Sequence, residues 1–191
     1  MTERVAPPPL VADDKWTYER YLRETAEGEY FTIIAGEKIV SPSPTDLHQV
    51  VSGNLYRLLA NWVSQTRLLK IRQAPYDVTL AEDVVVQPDI FLVLKEHSDR
   101  FVGRNFRGTP DLVIEVLSPG SVKLDREKKR TLYAQYAVPE YWIVSPGDRT
   151  LEIFQLQGNK YELGSLFEEN DTVQSALMPN FSCSVTDLFA D

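Results

Sequence analysis

Cysteine and histidine are nearly missing from this chain of 191 residues, which has one Cys, Cys183, and two His, His48 and His97. A single thiol rules out an internal disulfide. Two imidazoles are too few for the three-histidine or Cys/His clusters that hold zinc, so any metal must be held mainly by carboxylates. No apolar stretch approaches the roughly 18 residues of a membrane span, and the opening MTERVAPPPLVADD lacks the apolar core of a secretion signal. Residence in a reducing cytoplasm, with no membrane partner, is the expectation. Positive charge is also scarce: 20 Lys and Arg against 28 Asp and Glu leave a net charge of −8 and a pI near 4.9. Such a chain does not wrap nucleic acid in a basic surface, although a local basic cleft is still open to it. G-x-G-x-x-G, G-x-x-x-x-G-K-[ST] and G-x-S-x-G are all absent, so dinucleotide, P-loop and common serine hydrolase chemistry have no support.

What is present reads as one globular domain. Hydrophobic residues make up 43% and charged residues 25%, well clear of disordered compositions. Pro7, Pro8 and Pro9 mark residues 1–12 as a proline-rich tail, and 13–191 are expected to form a single domain. A short helix over DDKWTYERYLRET places Trp16, Tyr21 and Leu22 near one face, and a small hairpin follows. The spacing of Leu47, Val50, Val51, Asn54, Leu55, Leu58, Leu59, Trp62 and Val63 predicts a long helix from about Thr45 to Gln65. LLKIR, DVTLA and PDLVIEVLS read as strands, and the β-branched content and length of VVVQPDIFLVL point to a buried strand pair, with the polar loop KEHSDRFVGRNFRG before PDLVIEVLS. KLDREKKRTLYAQYA reads as a helix, and EYWIVSP, TLEIFQL and KYEL as further strands. The expected fold class is α/β (α+β), with one central mixed sheet flanked by helices.

Two acids stand where a core strand should be apolar. Asp89 interrupts VVVQPDIFLVL and Glu115 interrupts DLVIEVL. A lone buried carboxylate is costly, so each needs a partner. Strand alternation puts Gln87 with Asp89 on one face, and Asp111, Val113 and Glu115 on one face. Antiparallel pairing of the two strands brings Asp89 and Glu115 within reach of one Mg²⁺ or Mn²⁺, hard cations that take oxygen ligands. The alternative is a buried ion pair for Glu115 and a strand-edge position for Asp89. In the following helix Asp125, Lys129 and Tyr133 share a face at i+4 steps, which reads either as a solvated face or as an ammonium brought back over the acid-bearing strand. Cys183 reads as a small buried hydrophobe.

An acid after proline, then PDLVIEVLSP, then D-x-x-x-K-x-x-x-Y, then VPEYWIV resembles the Uma-two family of restriction-endonuclease-like proteins, in the PD-(D/E)XK nuclease superfamily. The resemblance covers roughly Tyr30 to Leu156. It implies a restriction-endonuclease-like fold and metal-dependent hydrolysis of DNA phosphodiesters, with Asp89, Glu115 and Lys129 catalytic. Asp89, Glu115 and the Val116 carbonyl would hold Mg²⁺ or Mn²⁺, Asp125 would support Lys129, and Tyr133 would pack. The lysine expected two residues after Glu115 is replaced by Leu117, and its role passes to Lys129. Thr32 stands where many members carry a glutamate, and His48 matches a histidine common in the family. Lys123, Arg126, Lys128, Lys129 and Arg130, with Arg100, Arg104 and Arg107 in the loop, form local basic clusters within the acidic chain, and the loop is expected to supply phosphate contacts near the metal. The exposed-looking aromatic strands YWIV and IFQL, and the habit of the superfamily that the chain resembles, point to a homodimer. The competing reading is a catalytically inactive nuclease scaffold that serves as an interaction module.

Overall fold

Period-two strands and one long amphipathic helix set the layers of this molecule. The computed structural model describes residues 14–26, 28–40 and 43–190, so the proline-rich segment 1–12 lies outside the described residues. Helix α1 (Tyr18–Glu24) begins on Thr17, whose side chain accepts from the Arg20 N–H. A hairpin follows, β1 (Thr32–Ile34) and β2 (Glu37–Ile39). Helix α2 (Asp46–Thr66) is capped by Thr45, whose side chain accepts from the His48 N–H, and it ends at Arg67 in the left-handed region at φ 55°. Strands β3 (Leu69–Gln73), β4 (Asp77–Ala81), β5 (Val84–Val86) and β6 (Ile90–Leu94) come next. A 3₁₀ segment, Lys95–Arg100, leads to β7 (Phe101–Val102), β8 (Asn105–Arg107) and β9 (Leu112–Val116). Leu124–Lys129 is π-helical and passes into α3 (Arg130–Gln135). The chain ends with β10 (Glu140–Ser145), β11 (Thr150–Gln157), β12 (Lys160–Phe167), β13 (Thr172–Ser175), β14 (Met178–Ser184) and α4 (Val185–Leu188).

The fold is mixed α+β, as expected. Its central sheet has the order β12-β11-β10-β9-β6-β3, in which only β9 and β10 run parallel. The π-helix and α3 make the crossover that a parallel pair requires. The strands nearest Asp89, Glu115 and Trp142 are neighbours, and β6 pairs antiparallel with β9, with Ile90 opposite Ile114. Asp89 and Glu115 therefore meet at the next position of that ladder.

Alternation divides the sheet into two apolar faces. Leu92, Ile114 and Trp142 pack with Val51, Leu55, Leu59 and Trp62 of α2. Phe91, Val113 and Tyr141 pack with Leu132 and Tyr133 of α3 and with Val78 and Phe106. Trp142, Leu55 and Leu59 are fully buried, each contributing on the order of 1.5–3 kcal/mol by leaving water.

Several expectations are corrected. One sheet was expected, but a second six-stranded sheet, β2-β1-β5-β4-β8-β7, lies against the central one. The run VVVQPDIFLVL is a buried strand pair, as expected, but its members lie in different sheets: β5 belongs to the second sheet and β6 to the central sheet. Pro88 has no N–H to give a ladder, and the chain changes sheets there. The polar loop before β9 is a 3₁₀ turn and the β7–β8 hairpin at the edge of the second sheet. Leu22 is 62% exposed and Leu47 is 46% exposed, so α1 and the start of α2 bury less than their spacing implied. YWIV lies on an interior strand, and Tyr141 through Val144 are fully buried, as are Ile153 and Phe154 of IFQL nearly so. These strands are satisfied within one chain, which removes the basis on which they pointed to a homodimer.

Candidate active site

Glu115 has bulky apolar neighbours in sequence and is 2% exposed, so its charge needs company. The π-helix supplies it. Lys129 Nζ lies 3.0 Å from Glu115 Oε1, and the Tyr133 hydroxyl donates to the same oxygen at 2.8 Å. Lys129 Nζ also stands 3.0 Å from Asp125 Oδ1, yet it is not aligned for a hydrogen bond, and that buried oxygen has none. Across the ladder Asp89 Oδ2 accepts the Val116 N–H at 2.7 Å and lies 3.1 Å from His48 Nε2, so the α2 end and β9 hold the carboxylate from two sides. His48, Asp89, Glu115, Val116, Asp125 and Lys129 line one cleft of about 520 Å³, with Thr32, Gln87 and Ser118 in its walls, while the fully buried Tyr133 is not among its lining residues.

Charge in this cleft is unbalanced. Three carboxylates, Asp89, Glu115 and Asp125, face one ammonium and one imidazole. Burial first, and then the charges of Asp125 and Asp89, push the Glu115 carboxyl up to about 8 against the pull of Lys129. Lys129 is disfavoured by burial, but Glu115, Asp125 and Asp89 more than offset this and hold it as an ammonium above its ordinary range. Glu115 is thus the member of the pair that takes up a proton. His48 is pulled down by burial, and the hydrogen bond and charge of Asp89 outweigh that and raise it. Burial and Glu115 push the Tyr133 hydroxyl well up, so it stays a donor.

The donor set suits a hard divalent ion. The contacts above use Asp89 Oδ2 and Glu115 Oε1, one oxygen of each carboxylate, and Asp125 Oδ1 lacks a hydrogen bond. Among the described residues no group of three or more His, Cys, Asp and Glu side chains is arranged to hold a metal alone. Mg²⁺ asks for less: it keeps several waters and is bound through one or two carboxylates and substrate phosphates.

A family model described as "Uma2: Putative restriction endonuclease" matches residues 17–186. The chain belongs to the Uma2 family. A solved structure similar to it is that of a protein from Anabaena variabilis ATCC 29413 described as "a putative nuclease", with a TM-score of 0.77 at 20% identity, covering 91% of this chain and 97% of that one. No curated protein matches it. At that identity the likeness carries the fold, and the family match carries membership.

Within this Uma2 chain the structure brings Asp89, Glu115, Val116, Asp125 and Lys129 together, along with His48, all as lining of the same cleft. It does not bring the loop arginines: Arg100, Arg104 and Arg107 are not among the lining residues, because their loop is built into the second sheet. Arg126 pairs with Glu152 at 2.6 Å and Arg130 lies over the Phe154 ring at 4.4 Å, so these two arginines are engaged within the chain, whereas Lys123 and Lys128 are exposed and are not among the lining residues. Thr32 is buried in the wall and puts no acid there. Two contacts were not seen in the sequence. The His48 partner is Asp89, 41 residues away, and Tyr133, expected to pack, also donates to Glu115. The i+4 step from Lys129 to Tyr133 was the only signal for the latter.

Proposed function

We propose that this Uma2 protein is a nuclease that hydrolyses DNA phosphodiester bonds with Mg²⁺ or Mn²⁺ held by Asp89, Glu115 and the Val116 carbonyl. The observation that carries the reading is the convergence of Asp89, Glu115 and Asp125 around buried Lys129 in one cleft. Asp89, Glu115 and the Val116 carbonyl would hold such an ion, which when bound would supply Lewis acidity toward a phosphate and a more acidic water. The chain's own residues do the rest. His48 and the Val116 N–H fix the orientation of Asp89 through Oδ2, and Tyr133 fixes Glu115 through Oε1. Asp125 positions Lys129, whose compact ammonium stabilises the negative charge that develops on the phosphate oxygens. The raised Glu115 carboxyl fits the same reading, since a site short of positive charge gains from a divalent cation.

Calorimetry with Mn²⁺ and cleavage of labelled DNA test this in the wild type and in Asp89→Asn. Asparagine keeps an oxygen for the Val116 N–H and removes a charge beside Glu115, so the metal-free variant folds with equal or greater stability. Mn²⁺ binding and cleavage are expected in the wild type and lost in the variant. A wild type that binds no Mn²⁺ and cuts no DNA overturns the reading in favour of a scaffold that only binds, and equal cleavage by both proteins overturns the metal site at Asp89.

A further inference from the structure

Very little positive charge surrounds the cleft. Among its lining residues Lys129 is the only Lys or Arg, and its ammonium is already held by Glu115 and Asp125. A closed duplex is held chiefly through its phosphates, by several Lys and Arg at once. These walls offer no such set.

They offer surfaces suited to bases. Tyr30, on the lip just before β1, is 48% exposed, and among the described residues its ring meets no other ring and carries no cation. Its neighbours are spent: Phe31 packs edge-on against Trp16 at 4.9 Å and has Lys38 Nζ 4.0 Å above it. The lining amides Gln49 and Gln73 make no hydrogen bond among the described residues, and both present donors and acceptors. On the α2 wall stands Gly53, an exposed glycine in the middle of a 21-residue helix. Among the described residues a Cβ there would meet nothing within 4 Å. No packing among the described residues requires this glycine, although it weakens the helix relative to alanine. The space it leaves belongs to the cleft.

We infer, taking the nuclease reading of this cleft as given, that its substrate is an unpaired DNA strand, with a base stacked on Tyr30 and the backbone crossing α2 at Gly53. Stacking on an aromatic ring needs the face of a base, which a closed duplex hides. A strand held this way releases few counterions, so its affinity falls only shallowly with salt, by about one or two neutralised phosphates.

Fluorescence anisotropy with Ca²⁺ present compares a short labelled single strand with a blunt duplex of the same sequence. The wild type is expected to bind the single strand at least about tenfold tighter, with the shallow salt slope. Tyr30→Ala is expected to weaken that binding about five- to 150-fold, and Tyr30→Phe to retain it. Gly53→Ala is expected to raise the melting temperature while lowering affinity, a pair of opposite signs that a purely structural glycine does not give. Equal or tighter binding of the duplex, no binding of either DNA, or Tyr30→Ala binding like the wild type overturns the inference. Cleavage with Mn²⁺ separates it from the reading beneath it. Tyr30-dependent binding without any cleavage sinks the nuclease and leaves the strand preference. Equal cutting of both DNAs, lost in Asp89→Asn, leaves the nuclease and sinks the preference.

Discussion

Lys129 is buried with its ammonium between two carboxylates, so removing it exposes what the pair is worth. In Lys129→Met, Glu115 and Asp125 lose their cation in a site with 2% side-chain exposure for each acid. A loss of about 3–5 kcal/mol in denaturant unfolding of the metal-free protein is expected, reduced to the extent that Glu115 takes up a proton. Lys128→Ala, on the exposed side of the same segment, is expected to stay within about 0.5 kcal/mol. Equal losses in the two variants would show that the pairing adds nothing. Glu115 also sets a pH dependence. Its carboxyl sits at about 8 in the folded protein against an ordinary 4.5, so the folded state keeps a proton that the unfolded chain releases. Its favourable share of stability is complete below about pH 4.5 and is lost as pH rises through about 8. Lys129 stays charged across that window and adds no slope. Melting temperatures of the metal-free protein are therefore expected to fall between pH 5 and 8, and to fall less in Glu115→Gln.

Helix α2 matters to the site because its first turn carries His48. The Thr45 side chain accepts the His48 N–H at 3.2 Å, so the cap holds the residue that braces Asp89. Thr45→Ala is expected to cost about 0.5–2 kcal/mol, while Thr45→Ser keeps most of it, as thermal unfolding would show. Elements like this one were legible: α2 was expected from Thr45 to Gln65 and runs Asp46–Thr66. The antiparallel meeting of Asp89 and Glu115 was legible too, because two acids in apolar strands separated by one polar loop leave few pairings. The sheet change at Pro88 was not, since alternation reports that a segment is extended and not which sheet receives it. Nor was the π-helical turn over Leu124–Lys129, whose residues read as an ordinary helix by their i+4 spacing. The Asp89 partner of His48 was hidden because it is a tertiary contact, created by α2 packing over the end of β6, with no local pattern to announce it.

At the scale of the whole molecule, Cys183 reports on cooperativity. It is 6% exposed in β14, within the core that joins α2, the central sheet and α4. Burial, with Asp187 nearby, pushes its thiol up to about 12. A thiol so protonated and covered reacts only when the core opens. Labelling with a thiol reagent is expected to be slow in buffer and to accelerate with denaturant in step with unfolding, whereas rapid labelling of the native protein would show that the β13–β14 layer opens by itself. Glu140 fastens that layer, accepting from Trp142 Nε1 and from Ser175 Oγ, each at 2.7 Å.

The crossing at Pro88 turns two sheets into one mechanical device. Val86 is the last residue of β5 in the second sheet, and three residues later Asp89 stands against the Val116 N–H of the central one. The segment between them, Gln87, reaches back to Asp77 at 2.7 Å, so the joint is gripped on the second-sheet side as well. On the other side of Pro88 the Asp89 carbonyl accepts the Ala74 N–H at 3.0 Å, next to β3 of the central sheet. Gln87 and Asp89, two residues apart, are thus fastened to different sheets, so a shift between the layers is expected to reach the Asp89 carboxylate through Pro88.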